Sequence, residues 1–221
     1  RPTGVYQYTN TGVGDLIFAD VDNNGWVDDA DQTFIGNPWP KMVYGFNASL
    51  EYKGFDLSVL FQGATGFDLF NAVRPYTQIF AGDGNTTADI FDVSFMGNNG
   101  LTDVPRCGFF GEDGKWQSDM NTNKNYFSGN EQISANSYFV EKGDYLKLKN
   151  LVFGYSLPAK YAKKAGLENV RVYLSAQNVF TITKYRGIDP EIGGSPTARG
   201  LDSINRYLPS RLISFGVDLK F

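Results

Sequence analysis

The fold is decided by residues 43–63, which read VYGFNASLEYKGFDLSVLFQG. Apolar and polar side chains alternate along both halves of this stretch, as they do in a β-strand whose two faces meet different surroundings. The first apolar face holds Tyr44, Phe46, Ala48, Leu50 and Tyr52, and the second holds Phe55, Leu57, Val59 and Phe61, with Leu60 as an exception on the polar face. Lys53 and Gly54 lie between the halves and form a tight two-residue turn, because Gly readily takes the positive φ that such turns require. The stretch is therefore predicted to be a long hairpin with one apolar and one polar face.

Three further stretches alternate in the same way: residues 144–157, 170–181 and 211–221. Their apolar faces carry Leu151, Phe153, Tyr155 and Leu157, then Val172, Leu174 and Ala176, then Ile213, Phe215, Val217, Leu219 and Phe221. Leu146 and Leu148 are out of phase with Leu151 in the first of these stretches. We therefore expect a β-bulge near Lys149–Asn150, or an upper half of this strand that lies above a bilayer.

The length of these strands favours a membrane barrel. Soluble strands usually have about five or six residues, whereas strands of about nine to eleven residues cross an outer membrane. Short and long connections follow one another, as in a barrel with short periplasmic turns and long extracellular loops. We predict an all-β fold, a transmembrane antiparallel β-barrel of which this chain supplies about the last five strands. The alternative is a soluble β-sandwich, whose strands also alternate.

The same pattern divides the chain into four segments. Residues 1–42 are predicted as an extracellular loop, residues 43–63 as a barrel hairpin and residues 64–144 as a second long extracellular loop. The last three barrel strands lie in residues 145–221, with a periplasmic turn at 158–169 and an extracellular loop at 184–210. An aromatic girdle near the periplasmic interface is predicted from four residues: Tyr52, Phe55, Tyr155 and Phe221.

Residues 20–31, which read DVDNNGWVDDAD, have the spacing of a twelve-residue calcium loop of the EF-hand type. The predicted ligands are the side chains of Asp20, Asp22, Asn24, Asp28 and Asp31 and the backbone carbonyl of Trp26. Gly25 stands at the sixth position, where such a loop turns sharply. Asp31 replaces the usual Glu at the twelfth position, as in dockerin-like variants. We predict a structural Ca²⁺ ion here, and the alternative is a solvated acidic turn that binds no metal.

The composition excludes several functions. The 221 residues carry 20 basic and 24 acidic side chains, so a net charge of −4 offers no basic surface for nucleic acid. The sequence has no His and a single Cys, Cys107, which removes His-dependent nucleophiles, His-ligated metals and intrachain disulfides. Asp189 and Glu191 resemble a carboxylate pair but are predicted to be solvated loop residues. The chain is therefore predicted not to be an enzyme.

Several motifs occur together in an order that resembles the SusC-like (SusC/RagA) family of TonB-dependent outer-membrane transporters. The matching segments are GDLIFADVDNNG at 14–25, IGNP at 35–38, YGF at 44–46, GFDLS at 54–58, FQG at 61–63, GDYLKLKNL at 143–151, SAQNVFT at 175–181, GIDPE at 187–191 and FG at 215–216 before Phe221. The resemblance covers nearly the whole chain. Asn24 stands where the family commonly has Asp, and Lys147 where it commonly has Arg.

The resemblance implies the last part of a barrel of about 22 strands, preceded by a plug and a TonB-contacting segment that this chain lacks. It implies the outer membrane of a Gram-negative bacterium, contact with outer-membrane lipid and the rest of the same barrel, and a SusD-like surface lipoprotein as a lid. The implied cargo is a large nutrient, mainly oligosaccharides and less often oligopeptides. Because the chain begins at Arg1, we expect a processed chain or a piece of a longer one.

The main alternative function is a secreted, calcium-dependent carbohydrate-binding β-module. Aromatic loop residues would serve such a module equally well. The aromatic terminal residue Phe221, on an amphipathic strand, favours the barrel. A third interpretation, a glycosidase, lacks two carboxylates placed on defined elements at a workable separation.

Overall fold

The structure is a computed structural model that describes residues 7, 11–78, 85–88, 90, 104–106, 108–110, 116–118, 125–126, 133–193, 198–204 and 206–221, with only the backbone at 108–110 and 116–118. Cys107 lies outside the described residues. The chain forms two compact units. The first comprises Arg1–Gly36, Phe70–Val140 and Asp202–Ile204, and the second comprises Asn37–Leu69, Glu141–Leu201 and Asn205–Phe221.

Strands dominate the described elements. In chain order these are β1 (Met42–Tyr52), β2 (Phe55–Thr65), β3 (Asp68–Asn71), α1 (Arg74–Gln78), β4 (Gly108–Phe110), β5 (Trp116–Ser118), β6 (Val140–Lys142), β7 (Tyr145–Ser156), α2 (Ala159–Ala162), β8 (Asn169–Thr183), β9 (Leu201–Asp202) and β10 (Leu212–Lys220). Short 3-10 turns occupy Asp29–Asp31, Ser137–Phe139 and Lys163–Ala165. None of the helices among the described residues has the length and apolar character needed to cross a bilayer.

The main sheet has five antiparallel strands in the order β1-β2-β7-β8-β10. The five predicted strands all form, and each of their bounds lies within two residues of the predicted one. The segment 64–144 contains more structure than the predicted loop. Its first two residues end β2, and β3, α1 and β6 lie within it. The remaining strands form a three-stranded sheet in the order β6-β3-β9 and the β4-β5 pair.

One face of the main sheet is apolar on all five strands. Partners across the strands share a face, and the register joins them into rows: Tyr52–Phe55–Tyr155–Val172–Val217, Leu50–Leu57–Phe153–Leu174–Phe215 and Ala48–Val59–Leu151–Ala176–Ile213. Many of these side chains are open to the surroundings, with Leu50 at 66% and Phe215 at 72% exposure. A contiguous apolar face of this size marks a surface that meets another apolar phase or partner.

The opposite face carries small and polar side chains. One row reads Ser49–Ser58–Val152–Ser175–Ser214, and the next reads Asn47–Leu60–Asn150–Gln177–Leu212. The facing pattern predicted from the alternation is therefore present across the sheet.

A β-bulge in β7 explains the phase change predicted there. Phe61 and Val59 of β2 share a face, and their partners are Leu148 and Leu151, so Lys149 is the extra residue that brings both leucines to the apolar face. A register shift between β7 and β8 occurs at the same level, between Leu148 and Asn150. The bulge prediction is confirmed.

The turns on the short side of the sheet also follow the sequence. Lys53 and Gly54 both have positive φ, 48° and 85°, which is the conformation of a type I′ hairpin turn. The connection predicted at 158–169 contains α2 and the 3-10 turn that follows it, and Gly166 ends this helical stretch.

The aromatic girdle forms in part. Tyr52, Phe55 and Tyr155 lie in one row, and the Phe55 and Tyr155 ring centroids are 4.5 Å apart. That row ends at Val217, and Phe221 lies four residues later in the chain, just beyond the end of β10. It is therefore not in the row of the other three.

Candidate functional site

The predicted calcium loop lies in the first unit, and it brings three of its carboxylates together. Asp20, Asp22 and Asp31 each offer an oxygen, and these oxygens all lie within 4.8 Å of one another. Such a spacing fits a single hard cation with oxygen ligands.

Backbone N–H groups fix these carboxylates in place. Asp31 Oδ1 accepts a hydrogen bond from Val21 N–H at 2.6 Å, and its Oδ2 accepts one from Asp28 N–H at 2.8 Å. The Asp28 N–H contributes most to holding the pKa of the Asp31 carboxyl below its ordinary value. Asp20 accepts from the N–H groups of Asn24 and Gly25, at 3.1 and 2.8 Å. The ends and the middle of the loop are thus drawn toward one point.

The middle of the loop depends on Gly25. Its φ of +91° lies in the left-handed region, and a Cβ there would meet nothing within 4 Å. The requirement for Gly therefore comes from the backbone conformation alone. Its neighbour Asn24 accepts from Trp26 N–H at 2.8 Å and donates to Asp22 Oδ2 at 3.0 Å.

The carboxylate of Asp28 is not one of the three grouped carboxylates. Its Oδ1 accepts a hydrogen bond from Ala30 N–H at 2.7 Å and caps the 3-10 turn Asp29–Asp31. As ligands, all six groups remain predictions, namely the side chains of Asp20, Asp22, Asn24, Asp28 and Asp31 and the carbonyl of Trp26.

A second cluster of charged side chains lies in the second unit, and the sequence analysis did not identify it. Lys147 of β7 is 2% exposed, and its Nζ contacts Asp189 Oδ1 and Oδ2 at 2.6 and 2.7 Å and Glu191 Oε2 at 2.9 Å. Lys149 Nζ contacts the same Glu191 oxygen at 2.7 Å. The prediction that Asp189 and Glu191 are simply solvated is wrong, because a buried ammonium group binds both. The sequence contains both parts of this cluster, a Lys on an alternating strand and a separate acidic motif. Asp189 and Glu191 lie 42 and 44 residues after Lys147, so nothing in the sequence pairs them with it.

Two lysine side chains of this cluster favour the ionised form of Glu191. Partial burial raises the pKa of Glu191, but hydrogen bonds from Lys149 and Lys147 outweigh it and leave that pKa below its ordinary value. The carboxylate is therefore ionised at neutral pH, as an ion pair requires.

Comparison with known proteins identifies relatives over nearly the whole chain. The chain is 36% identical over 217 residues to TonB-dependent receptor P3 of Formosa agariphila. The aligned region covers 94% of this chain and 19% of that receptor. It is 27% identical over 208 residues to TonB-dependent receptor SusC of Bacteroides thetaiotaomicron, covering 93% of this chain and 17% of that receptor. The chain spans about a fifth of the length of these relatives. No family model matches it.

Solved structures agree with this relationship. The RagAB peptide importer in its open-open state superposes with a TM-score of 0.63 at 24% identity, covering 98% of this chain and 22% of that chain. A structure of the RagAB peptide transporter gives a TM-score of 0.60 at 27% identity, and the match covers 83% of this chain and 17% of that chain.

The two-faced antiparallel sheet and these likenesses define the class of protein: the chain is part of the wall of a transmembrane β-barrel, with an open sheet that the five strands do not close by themselves. Within that class, it is homologous over nearly its whole length to the SusC-like, TonB-dependent receptors. The relatives are named as receptors and transporters, which fits the prediction that the chain is not an enzyme.

Proposed function

We propose that the protein containing this chain imports large nutrients across the outer membrane of a Gram-negative bacterium with energy from TonB. The observation that carries the proposal is the continuous apolar face of the five-stranded sheet opposite a polar face. Lipid requires apolar side chains outside and paired backbone groups within the wall, and a barrel sheet supplies both. The polar face then lines a hydrated lumen.

The proposed partner is a SusD-like surface lipoprotein that closes over the extracellular mouth. Its support is homology to SusC and the likeness to RagAB. The proposed cargo is oligosaccharide. Oligopeptide is the second candidate, because the structurally similar RagAB is named as a peptide transporter.

An uptake experiment tests the function. Cells that produce the full-length protein receive labelled oligosaccharides or labelled oligopeptides, with and without a functional TonB. Uptake of one class that stops without TonB is the expected result, together with recovery of a surface lipoprotein after cross-linking. Uptake that is unchanged when the protein is deleted, for both cargo classes, would reject the proposal.

A structural Ca²⁺ ion in the loop at residues 20–31 is part of the proposal. The three grouped carboxylates fit such an ion, and Asp20, Asp22 and Asp31 would hold it by their oxygens. The ion would supply charge neutralisation and fix the loop, while the chain's own N–H groups orient the carboxylates. Its role would be structural and not catalytic.

The competing function is a secreted, calcium-dependent carbohydrate-binding β-module. It shares the loop and the alternation but has no need for an apolar face that is open across five strands. Fractionation decides between the two. A transporter is recovered with outer membranes, whereas a secreted module is recovered from the medium.

A further inference from the structure

The segment that follows β8, residues 184–193, is packed on the main sheet. Tyr185 and Ile192, near its two ends, are 5% and 9% exposed and form one buried cluster with Ala64, Phe67 and Leu69. Pro190 is also fully buried. Arg186 adds a backbone and a side-chain hydrogen bond to Glu141. We name residues 184–193 the lumen segment, for the reason given below.

Lys147 is the polar anchor of the lumen segment. A buried ammonium group is costly unless it is paired and hydrogen-bonded. Lys147 meets this requirement with three carboxylate contacts, all of them to Asp189 and Glu191 of the lumen segment. Two independent attachments, one apolar and one ionic, therefore hold the same ten residues.

The position of Lys147 shows which face the segment covers. Its cross-strand partners are Gln62 and Thr181. Gln62 shares a face with Ser58, which belongs to the serine-rich row of the polar face. The lumen segment thus lies on the polar face, above the β7 bulge.

The exposed residues of the lumen segment are Lys184, Arg186, Ile188 and Gly193, and Ile188 has the only apolar side chain among these four. Ile188 is 75% exposed, whereas its neighbours Gly187 and Asp189 are partly buried. It borders an open cleft that Lys147, Asn178 and Arg211 also line. The Ile188 side chain is therefore accessible to a solute that enters this cleft.

We propose that Lys147 is a positioning residue that fixes the lumen segment on the polar face of the barrel wall and so holds Ile188 in the cargo path. The inference rests on the proposed function, since the polar face must line the lumen.

A blocking experiment in the full-length protein tests whether Ile188 lies in the cargo path. Ile188→Cys is made with Cys107→Ser, so that one thiol remains in this part of the protein, and is labelled with a small and with a bulky maleimide. We expect the bulky adduct to reduce cargo uptake severalfold and the small adduct to have little effect. Lys53→Cys, in the turn between β1 and β2, is the matched control and should tolerate both adducts. Unchanged uptake when the Ile188→Cys variant carries the bulky adduct would overturn the placement of Ile188 in the cargo path.

A labelling experiment tests the anchor separately. Lys147→Met, added to a variant with Ile192→Cys and Cys107→Ser, should raise the labelling rate of that buried thiol about tenfold, the effect of losing a buried ion pair on local opening. Lys149→Met removes one partly exposed contact to Glu191 and should change the rate much less. Equal labelling rates with and without Lys147→Met would overturn the anchor.

If Lys147→Met does not assemble, the triple change Lys147→Met, Asp189→Asn and Glu191→Gln makes the same test without leaving a carboxylate unpaired. The labelling rates also separate the two proposals. A parent protein that imports neither cargo class would contradict the proposed function, while the labelling rates of its Ile192→Cys variant would still report on the anchor.

Discussion

Arg171 of β8 forms a bidentate ion pair with Asp56 of β2 across the intervening strand β7, with Nε–Oδ1 and Nη2–Oδ2 distances of 2.9 and 2.6 Å. Gly154 of β7 is the cross-strand partner of Asp56, and a Cβ at this glycine would collide with both charged side chains. Arg171 also donates to Asp218 of β10 at 3.2 Å. One guanidinium group therefore ties together three strands on the polar face, and a glycine makes the approach possible.

Substitution of that glycine is expected to separate the ion pair. Gly154→Ala in the full-length protein should destabilise the barrel by about 1 kcal/mol, the upper end for a well-oriented pair that is partly exposed. The measurement is the temperature at which the folded band is lost in heat-modifiable gel migration. Gly45→Ala is the control, because a Cβ there makes only an ordinary 3.6 Å contact with Phe61 O. Equal midpoints for the two variants would show that the ion pair contributes nothing.

Adjacent positions on one strand should respond oppositely to the same charge. Val59→Arg on the apolar face is expected to cost about 2–4 kcal/mol near mid-bilayer, while Ser58→Arg on the polar face stays hydrated and costs much less. Phe215→Arg and Ser214→Arg form a second pair on β10. The measurement is the amount of heat-modifiable, surface-assembled full-length protein. Equal tolerance within both pairs would mean that these strands do not face lipid.

The acidic loop should bind Ca²⁺ through its three grouped carboxylates. Terbium is a luminescent substitute for Ca²⁺, and Trp26 in the same loop is placed to sensitise it. We expect Tb³⁺ luminescence from the full-length protein that Ca²⁺ displaces and that Asp22→Ala with Asp31→Ala abolishes. Asp29→Asn, at a loop position with no predicted ligand role, is the control. Luminescence that survives the double substitution would place the ion elsewhere.

The attachment of Glu191 should depend on pH. Its pKa is lower in the folded protein than in an unfolded chain, so its contribution to stability is present above the unfolded value of about 4.3. That contribution is lost as the pH falls through the lower folded value. Hydrogen exchange of residues 184–193, corrected for intrinsic rates, should therefore accelerate at acid pH in the parent. Glu191→Gln should exchange faster at pH 7 and change less with pH, and an identical pH profile would contradict the role of the ion pair.

The 221-residue chain produced alone should aggregate. Its sheet ends in β1 and β10, whose outer edges have no partner among the described strands, and one whole face is apolar. Unpaired edges and exposed apolar faces promote association of chains. Size-exclusion chromatography after refolding in buffer is the measurement. A monomeric, folded product without detergent would support the secreted module.

Sequence reasoning was sufficient for the strands, their faces and the bulge, because each depends on neighbours within a few residues. The turn at Lys53 and Gly54 also fixes the register of the first hairpin, since a two-residue loop leaves one way to pair the strands. The grouping of Asp20, Asp22 and Asp31 in the acidic loop follows for the same reason, because the whole loop is local in sequence.

The ion pairs could not be predicted from the sequence. Arg171 and Asp56 are 115 residues apart, and their contact depends on Gly154 lying between them in a third strand. The alternation does not distinguish Lys147 from other polar residues of the strand, because its partners lie in a distant loop. Register between strands joined by long connections decides such contacts, and alternation leaves that register open.

The single extra residue at Lys149 divides β7 into two frames of alternation. Below it, odd-numbered positions such as Leu151 face outward, and above it even-numbered positions such as Leu148 do so. Deletion of Lys149 would restore one frame, and every side chain above it would exchange surroundings, so that Lys147 would face hydrocarbon. While this extra residue is kept, a change in the sequence of one half of β7 does not alter which way the side chains of the other half face.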